Sequence, residues 1–174
     1  MREHGVLKRV LLIYREGIRR LQAGEQDPTR ALNSGAGIIR SFIEDYHEHL
    51  EEQYVFPKLE QAGKLTDITT VLRTQHQRGR VLTDRVLAAT TGAAALDQPA
   101  RQALVQNMLA FIRMYEPHEA REDTVVFPAL RDVVPDFVGT SPVAADLSPM
   151  WSVRPALLLC SMREQIYLLS ATPK

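Results

Sequence analysis

The chain has 174 residues, and its 21 lysine and arginine residues balance its 21 aspartate and glutamate residues. This length suits one domain with a real core, and the balanced charge excludes a global field that would attract nucleic acid or an acidic membrane surface. The single cysteine, Cys160, excludes an internal disulfide and a thiolate cluster for a metal. The chain starts with a charged, helix-like segment, and no apolar run approaches the roughly 20 residues that span a bilayer. We therefore expect a soluble, cytoplasmic protein.

The first two predicted helices each place one histidine in an apolar stripe with the three- and four-residue spacing of an amphipathic helix. The first helix ends near Gly24, and the second begins at Asp27-Pro28 and runs to about Leu59. The first stripe comprises His4, Leu7, Leu11, Tyr14, Ile18 and Leu21. The second comprises Ile39, Ile43, His47, Leu50 and Tyr54.

The third and fourth predicted helices follow the same design. The third opens at Thr66 or Asp67 and ends before the Thr-Thr-Gly-Ala-Ala-Ala run, and the fourth starts after Asp97. The third stripe comprises Ile68, Leu72, His76, Gly79, Leu82 and Val86. The fourth comprises Leu104, Met108, Phe111, Tyr115, His118, Glu122 and Val125. Because no segment of comparable length alternates as a strand does, we predict an all-α fold.

An internal repeat relates the two halves of the chain. Residues 51–59 match residues 122–130 at an offset of 71 residues, and His47 and His118 keep the same offset. Each half therefore reads as one helix hairpin, and two hairpins about a pseudo-twofold axis form an antiparallel, up-down four-helix bundle. We predict this bundle over residues 1–135. Residues 136–174 contain scattered prolines and read as an irregular C-terminal tail, with at most a short helix packed on the bundle.

Two pairs of residues in the repeat have the spacing of metal ligands. His47 and Glu51 are four residues apart, as are His118 and Glu122, so each pair projects from one face of its helix. A single pair of this kind is a weak signal, whereas two in repeated context, with one histidine on each remaining helix, is a strong one. Without a metal, burial of four imidazoles and two carboxylates would be costly. The candidate metal ligands are His4, His47, Glu51, His76, His118 and Glu122.

The number of candidate ligands suits two metal ions that share both carboxylates. Two nitrogens, two bridging oxygens and an oxo or hydroxo bridge would give each ion five ligands, which leaves one open position on a six-coordinate metal. That position would accept a small molecule such as dioxygen, peroxide or nitric oxide. Nitrogen and oxygen ligands without thiolate suit iron or manganese, and zinc also accepts this set.

Other polar residues near these motifs are predicted to have ordinary roles. His49 should be exposed, because it points about 200° away from His47 around the helix. Glu52 and Asp123 are read as solvated charges in preference to acceptors for ligand imidazoles. Glu44 and His47 form a Glu-x-x-His motif as in ferritin-like proteins, but the second half has Tyr115 at the equivalent position, which argues against that class.

At these residues the sequence resembles the hemerythrin-like, or HHE cation-binding, domain family. The resemblance extends from about Glu3 to Val134 and rests on His4, His47-x3-Glu51 with Phe56-Pro57, His76, and Pro117-His118-x3-Glu122 with Phe127-Pro128. It implies a four-helix bundle with two non-haem iron ions, histidines as terminal ligands and the two glutamates as bridging carboxylates. Iron itself is implied by the resemblance and not by the spacing.

One departure from the oxygen-carrying members of that family bears on function. Those members have a second histidine on the third helix, one turn from the first, where this chain has Leu72 and Arg80. We therefore predict a di-iron protein that binds or senses a small oxidant. A redox enzyme such as a peroxide-decomposing, catalase-like protein, and an iron-storage or iron-sensing interaction module, are the alternatives.

Overall fold

The structure, a computed structural model, describes residues 2–92 and 96–134, and these residues are almost entirely helical. The α-helices are α1 (Arg2–Ala23), α2 (Thr29–Ile38), α3 (Phe56–Gln61), α4 (Thr66–Thr90), α5 (Gln98–Arg121) and α6 (Phe127–Val133). Three π-helical segments, Ile39–Glu48, Glu51–Val55 and Glu122–Val126, join some of them without a break. Residues 29–61 therefore form one long second bundle helix, and residues 98–133 form the fourth.

The helix ends are set by the residues that the sequence indicated. Gly24 follows α1 with φ of 67°, a left-handed conformation that glycine adopts at little cost. The Asp27 carboxylate accepts a hydrogen bond of 2.9 Å from the Thr29 backbone N–H at the start of α2. Asp97 accepts one of 2.8 Å from the Ala100 N–H at the start of α5.

The four long helices pack as a closed ring. α1 packs against α2 and α5, and α4 packs against the same two helices on the other side. Short connections between consecutive helices make neighbours antiparallel. The prediction of an all-α, up-down four-helix bundle is confirmed for this part of the chain. The predicted tail over residues 136–174 lies outside the described residues.

The apolar core has two parts. The larger cluster occupies most of the bundle and includes Tyr14, Ile43, Leu82 and Tyr115. The smaller one closes the opposite end and comprises Leu50, Val55, Phe56, Leu59, Leu72, Val126, Phe127 and Leu130. Along α4 and the second and fourth bundle helices, buried polar side chains fall between the two clusters.

The same π turn occurs in both halves of the repeat. The Phe56 N–H donates to the Glu51 carbonyl, and the Phe127 N–H donates to the Glu122 carbonyl, each five residues back along the chain. Pro57 and Pro128 follow these phenylalanines and lack an N–H, so they cannot make the usual helical bond four residues back. The π turns lie directly beside the polar layer, a frequent location for such turns at functional sites.

No helix within the described ranges is long and apolar enough to cross a membrane.

Candidate metal centre

The six side chains predicted as ligands all lie in the buried layer between the two apolar clusters. α1 supplies His4, α4 supplies His76, and the second and fourth bundle helices each supply one His-x3-Glu pair. None of the six is more than 3% exposed. The apolar stripes point into the bundle, and the ligand candidates share those stripes, so the amphipathic pattern itself brings them together.

The four histidines form two facing pairs. The Nε2 atoms of His4 and His47 are 3.2 Å apart, and those of His76 and His118 are also 3.2 Å apart. Two metal–nitrogen bonds of about 2.1 Å that enclose an angle near 100° would place their nitrogens about 3.2 Å apart. Each pair thus has the spacing of two imidazoles that share one ion.

Both carboxylates extend from one histidine pair to the other. The Oε1 atom of Glu51 is 3.4 Å from His47 Nε2, and its Oε2 atom is 3.6 Å from His76 Nε2. Glu122 is placed in the same way, with Oε1 2.9 Å from His118 Nε2 and Oε2 3.3 Å from His4 Nε2. With one oxygen towards each pair, each glutamate has the position of a bridging carboxylate.

The two carboxylates are buried side by side, and this shifts their pKa values apart. Burial raises the pKa of Glu51 well above its usual range, and the charge of Glu122 raises it further. Burial also opposes ionisation of Glu122, but contacts with His118, His4 and His76 outweigh it and hold the Glu122 pKa well below its usual range. Neither oxygen of Glu51 has a hydrogen-bond donor. A cation between the histidine pairs would satisfy these oxygens and relieve the repulsion.

The pKa values of His47 and His76 are shifted in opposite directions. Burial, followed by the nearby His4, lowers the pKa of His47 to about 3, so this imidazole is neutral and ready to bind a metal. Burial also lowers the pKa of His76, but contacts with Glu122 and Glu52 outweigh it and raise the value to about 9. Metal binding at His76 would therefore release a proton.

The prediction that Glu52 and Asp123 are merely solvated charges was wrong. His76 Nδ1–H donates to Glu52 Oε1 over 2.9 Å, and His4 Nδ1 lies 3.1 Å from Asp123 Oδ1. Each of these carboxylates directly follows a candidate bridging glutamate and contacts the single histidine of the other half. Such contacts fix an imidazole with Nε2 facing inward and make it a stronger ligand. The 71-residue repeat, which Glu52 and Asp123 obey, was the signal that could have revealed them.

Sequence reasoning also missed a second set of buried groups beside the candidate ligands. Glu48 and Glu119 directly follow His47 and His118, and they are 1% and 5% exposed. The Tyr115 hydroxyl donates to Glu48. The Tyr115 ring lies 5.3 Å from the ring of His118, measured between centroids. The polar layer is thus wider than the six predicted side chains.

Two neighbouring residues are placed as expected. His49 is exposed. Glu44 is buried, but its contacts are with Thr83 and Arg40 and not with the candidate ligands, as expected for a chain without a ferritin-like site.

The donor set fits a pair of metal ions. In the described part of the chain, three groups could hold an ion: His4, His47, Glu51 and Glu122; His76, His118 and Glu122; and Glu48, Glu52 and His76. The first two groups share Glu122, and the last two share His76. Neutral nitrogen and carboxylate oxygen donors suit a first-row divalent metal.

Comparisons with known proteins identify a matching family. The family description "Hemerythrin HHE cation binding domain" matches residues 1–130, and a second match covers residues 67–151. The second match begins in α4, as expected if the second half of the chain repeats the first.

Three mycobacterial proteins are similar to the chain, and all are described as uncharacterized. One is from Mycobacterium bovis and two are from Mycobacterium tuberculosis, strains CDC 1551 and H37Rv. Each is 83% identical over 134 residues, which is 77% of this chain and 52% of the relative. The chain therefore spans about half the length of these relatives. No solved structure matches it significantly. From the family match over most of its length, the chain belongs to the hemerythrin HHE cation-binding family.

Proposed function

We propose that the protein is a non-haem di-iron protein that binds or senses a small oxidant such as dioxygen, peroxide or nitric oxide. The observation that carries this proposal is the pair of 3.2 Å contacts between facing Nε2 atoms, with two carboxylates that extend from one pair to the other. Such an arrangement suits two ions and not one.

In this proposal each side chain has a defined role. His4 and His47 would hold one ion, His76 and His118 would hold the other, and Glu51 and Glu122 would contribute carboxylate oxygens to both. Iron held there would supply reversible ligand binding and electron transfer. Glu52 and Asp123 orient the imidazoles of His76 and His4 through the Nδ1 contacts.

The apolar residues beside the site favour small ligands. The His76 ring stacks on Phe56 with 5.7 Å between centroids, and the His4 ring lies 6.1 Å from that of Phe127. Phe56 and Phe127 belong to the smaller apolar cluster, which covers this side of the polar layer. A large polar ligand would lose hydration against these apolar rings without a matching partner, whereas a diatomic molecule such as dioxygen or nitric oxide loses little.

The proposal is tested by an iron titration followed by ultraviolet–visible spectroscopy. We expect uptake of about two iron ions per chain with charge-transfer bands, and a spectral change when nitric oxide is added to the reduced protein. The double variant His118→Ala/Glu122→Ala should show neither. A single tightly bound zinc ion without such bands would contradict the proposal.

Peroxide decomposition is the second candidate function. It is favoured by the absence of a further histidine from the two positions one turn from His76, where the chain has Leu72 and Arg80. Each ion would then have only two imidazoles and a more open coordination shell. Catalytic oxygen evolution from peroxide, lost in the same double variant, would favour an enzyme, whereas stoichiometric consumption would favour a binding protein or sensor.

A further inference from the structure

A second pair of repeated contacts surrounds the candidate metal centre. Arg80 Nη2 lies 3.1 Å from Glu48 Oε2, and Lys8 Nζ lies 3.3 Å from Glu119 Oε1. Each cation lies one turn after the single histidine of its half of the repeat. Each glutamate directly follows the histidine of a His-x3-Glu motif, and it belongs to the opposite half from its cation. The repeat therefore includes a cation that neutralises a buried carboxylate next to each histidine pair.

The two cations are chemically different. The Arg80 guanidinium also donates to Glu52 Oε1 over 2.9 Å, and this same oxygen accepts the hydrogen bond from His76 Nδ1. The Arg80 side chain is 30% exposed, whereas the Lys8 side chain is 60% exposed. Both Arg80 contacts are made by Nη2, whose N–H groups point in fixed directions within the planar guanidinium fork, whereas an ammonium on a flexible stem acts as a point charge.

The chain of contacts from Arg80 ends at a candidate ligand. Arg80 fixes Glu52, and Glu52 fixes the orientation and tautomer of His76. Partners of this kind commonly change metal affinity by 10- to 100-fold when they are removed. On the other ring of the same pair, His118 Nδ1–H donates to Gln75 Oε1 over 2.9 Å. In this pair, therefore, the Nδ1 atom of each imidazole makes a hydrogen bond, which fixes the ring with its Nε2 atom facing the other histidine.

The other histidine pair is held less firmly. His4 lies in the first turn of α1, and its Nδ1 atom, unlike that of His76, makes no hydrogen bond of suitable geometry. The Asp123 side chain, which contacts His4 Nδ1, is 31% exposed, so water competes for that contact. The candidate ligands are arranged symmetrically, but the residues that hold them in place differ between the two histidine pairs.

We propose that Arg80 is a positioning residue that makes the His76/His118 position bind its metal ion more tightly than the His4/His47 position, so that the two positions fill in a fixed order. This inference rests on the proposed metal pair. It adds a specific role for Arg80, which occupies the position one turn after His76 and acts through Glu52.

The inference is tested by titration of the full chain with Co²⁺, whose absorption spectrum reports binding directly. We expect two steps in the wild type, with the tight step lost in His76→Ala and the weak step lost in His4→Ala. Arg80→Met should weaken the tight step about tenfold or more. Its matched control, Lys8→Met, should change that step by less than about threefold. Arg80→Lys should give an intermediate value, because lysine keeps the charge but not the fork.

A second variant separates positioning from folding. Arg80→Met leaves the Glu48 carboxylate buried without its cation, which would destabilise the bundle by itself. The double variant Glu48→Gln/Arg80→Met removes that charge, and its thermal unfolding without metal should return towards the wild-type temperature. The loss of affinity in the tight step should persist in the double variant.

Different results would overturn the inference and the proposed function. Two bound ions in the wild type, with equal tight-step affinities in Arg80→Met and Lys8→Met, would overturn the role of Arg80 alone. Full recovery of the tight-step Co²⁺ affinity in the double variant would also overturn the role of Arg80. Fewer than two Co²⁺ ions per wild-type chain would overturn the metal pair and the inference with it.

Discussion

Both carboxylate oxygens of Glu51 lie inside the bundle without a hydrogen-bond donor, close to the second buried carboxylate of Glu122. In the metal-free protein this residue is a cost to folding, since a buried carboxyl group without hydrogen-bond partners lowers stability, either as a buried charge or through the proton that it must take up. Its position is explained if a cation lies between the histidine pairs. Stability is commonly given up at functional sites in this way.

We therefore expect Glu51→Gln to stabilise the metal-free protein and to prevent binding of the metal pair. The amide carries no charge, so the free energy of unfolding should rise by about 1 kcal/mol or more. Urea denaturation in the presence of a chelator measures this change. Glu60→Gln, a half-buried glutamate later in the same bundle helix, serves as the control and should leave pair binding intact. A less stable Glu51→Gln protein would argue against an unsatisfied carboxylate.

At the residue scale, sequence reasoning placed all six candidate ligands in the polar layer but misjudged their neighbours. A helical stripe predicts which side chains point inward, because position on the helix depends only on residue number. Glu52 and Asp123 each lie one residue after a member of the inward-facing stripe, and each contacts a histidine on a different helix. That contact depends on how close the neighbouring helix lies, which periodicity does not encode.

The contact between α4 and the fourth bundle helix depends on Gly79. A Cβ atom at this position would lie 2.0 Å from the Tyr115 hydroxyl oxygen and 2.8 Å from its Cζ atom. The Tyr115 ring has little freedom to move, since it is buried and stacks on Phe111 at 4.3 Å between centroids. Gly79 thus allows the hydroxyl to cross α4 and reach Glu48.

Gly79→Ala should lower the free energy of unfolding by about 1 to 3 kcal/mol, the usual cost of overpacking a core. Gly37→Ala is the matched control, because a Cβ atom there would meet nothing within 4 Å. Since alanine favours helix over glycine, the control should be stabilised by about 0.5 to 1 kcal/mol. Chemical denaturation measures both, and equal effects of the two substitutions would contradict this packing.

At the element scale, the helices could be predicted from local signals, whereas the π turns could not. Asp27, Asp97 and Gly24 mark helix ends through hydrogen bonds and backbone conformations that involve only nearby residues. The π turns after Glu51 and Glu122 replace bonds to the fourth residue back with bonds to the fifth. No hydrophobic spacing distinguishes these two patterns over five residues.

At the scale of the whole molecule, the candidate centre draws on all four bundle helices. A metal pair would therefore link both hairpins of the repeat and stabilise the fold by mass action, because the unfolded chain has no preformed site. The pseudo-twofold repeat made this arrangement predictable from the sequence. The 134 matched residues make up 52% of each mycobacterial relative, so these relatives are about one and a half times as long as the chain, and the activity of a whole protein of that length is a separate proposal.

Addition of ferrous iron under anaerobic conditions should raise the thermal unfolding temperature. A free ion concentration of about 100 times the dissociation constant adds about 2.7 kcal/mol. For a chain of this size that corresponds to a rise of about 5 to 10 °C. Calorimetry measures the shift, and the Glu51→Gln/Glu122→Gln double variant should show none with the same ion. An equal rise in that variant would place the ion elsewhere.

The central claim, that six side chains hold two metal ions, is tested most directly by anomalous X-ray diffraction from crystals of the iron-loaded protein. We predict two anomalous peaks, one beside His4 and His47 and the other beside His76 and His118, with Glu51 and Glu122 between them. A single peak, or a peak bound by Glu48 and Glu52 in place of the histidine pairs, would contradict the account.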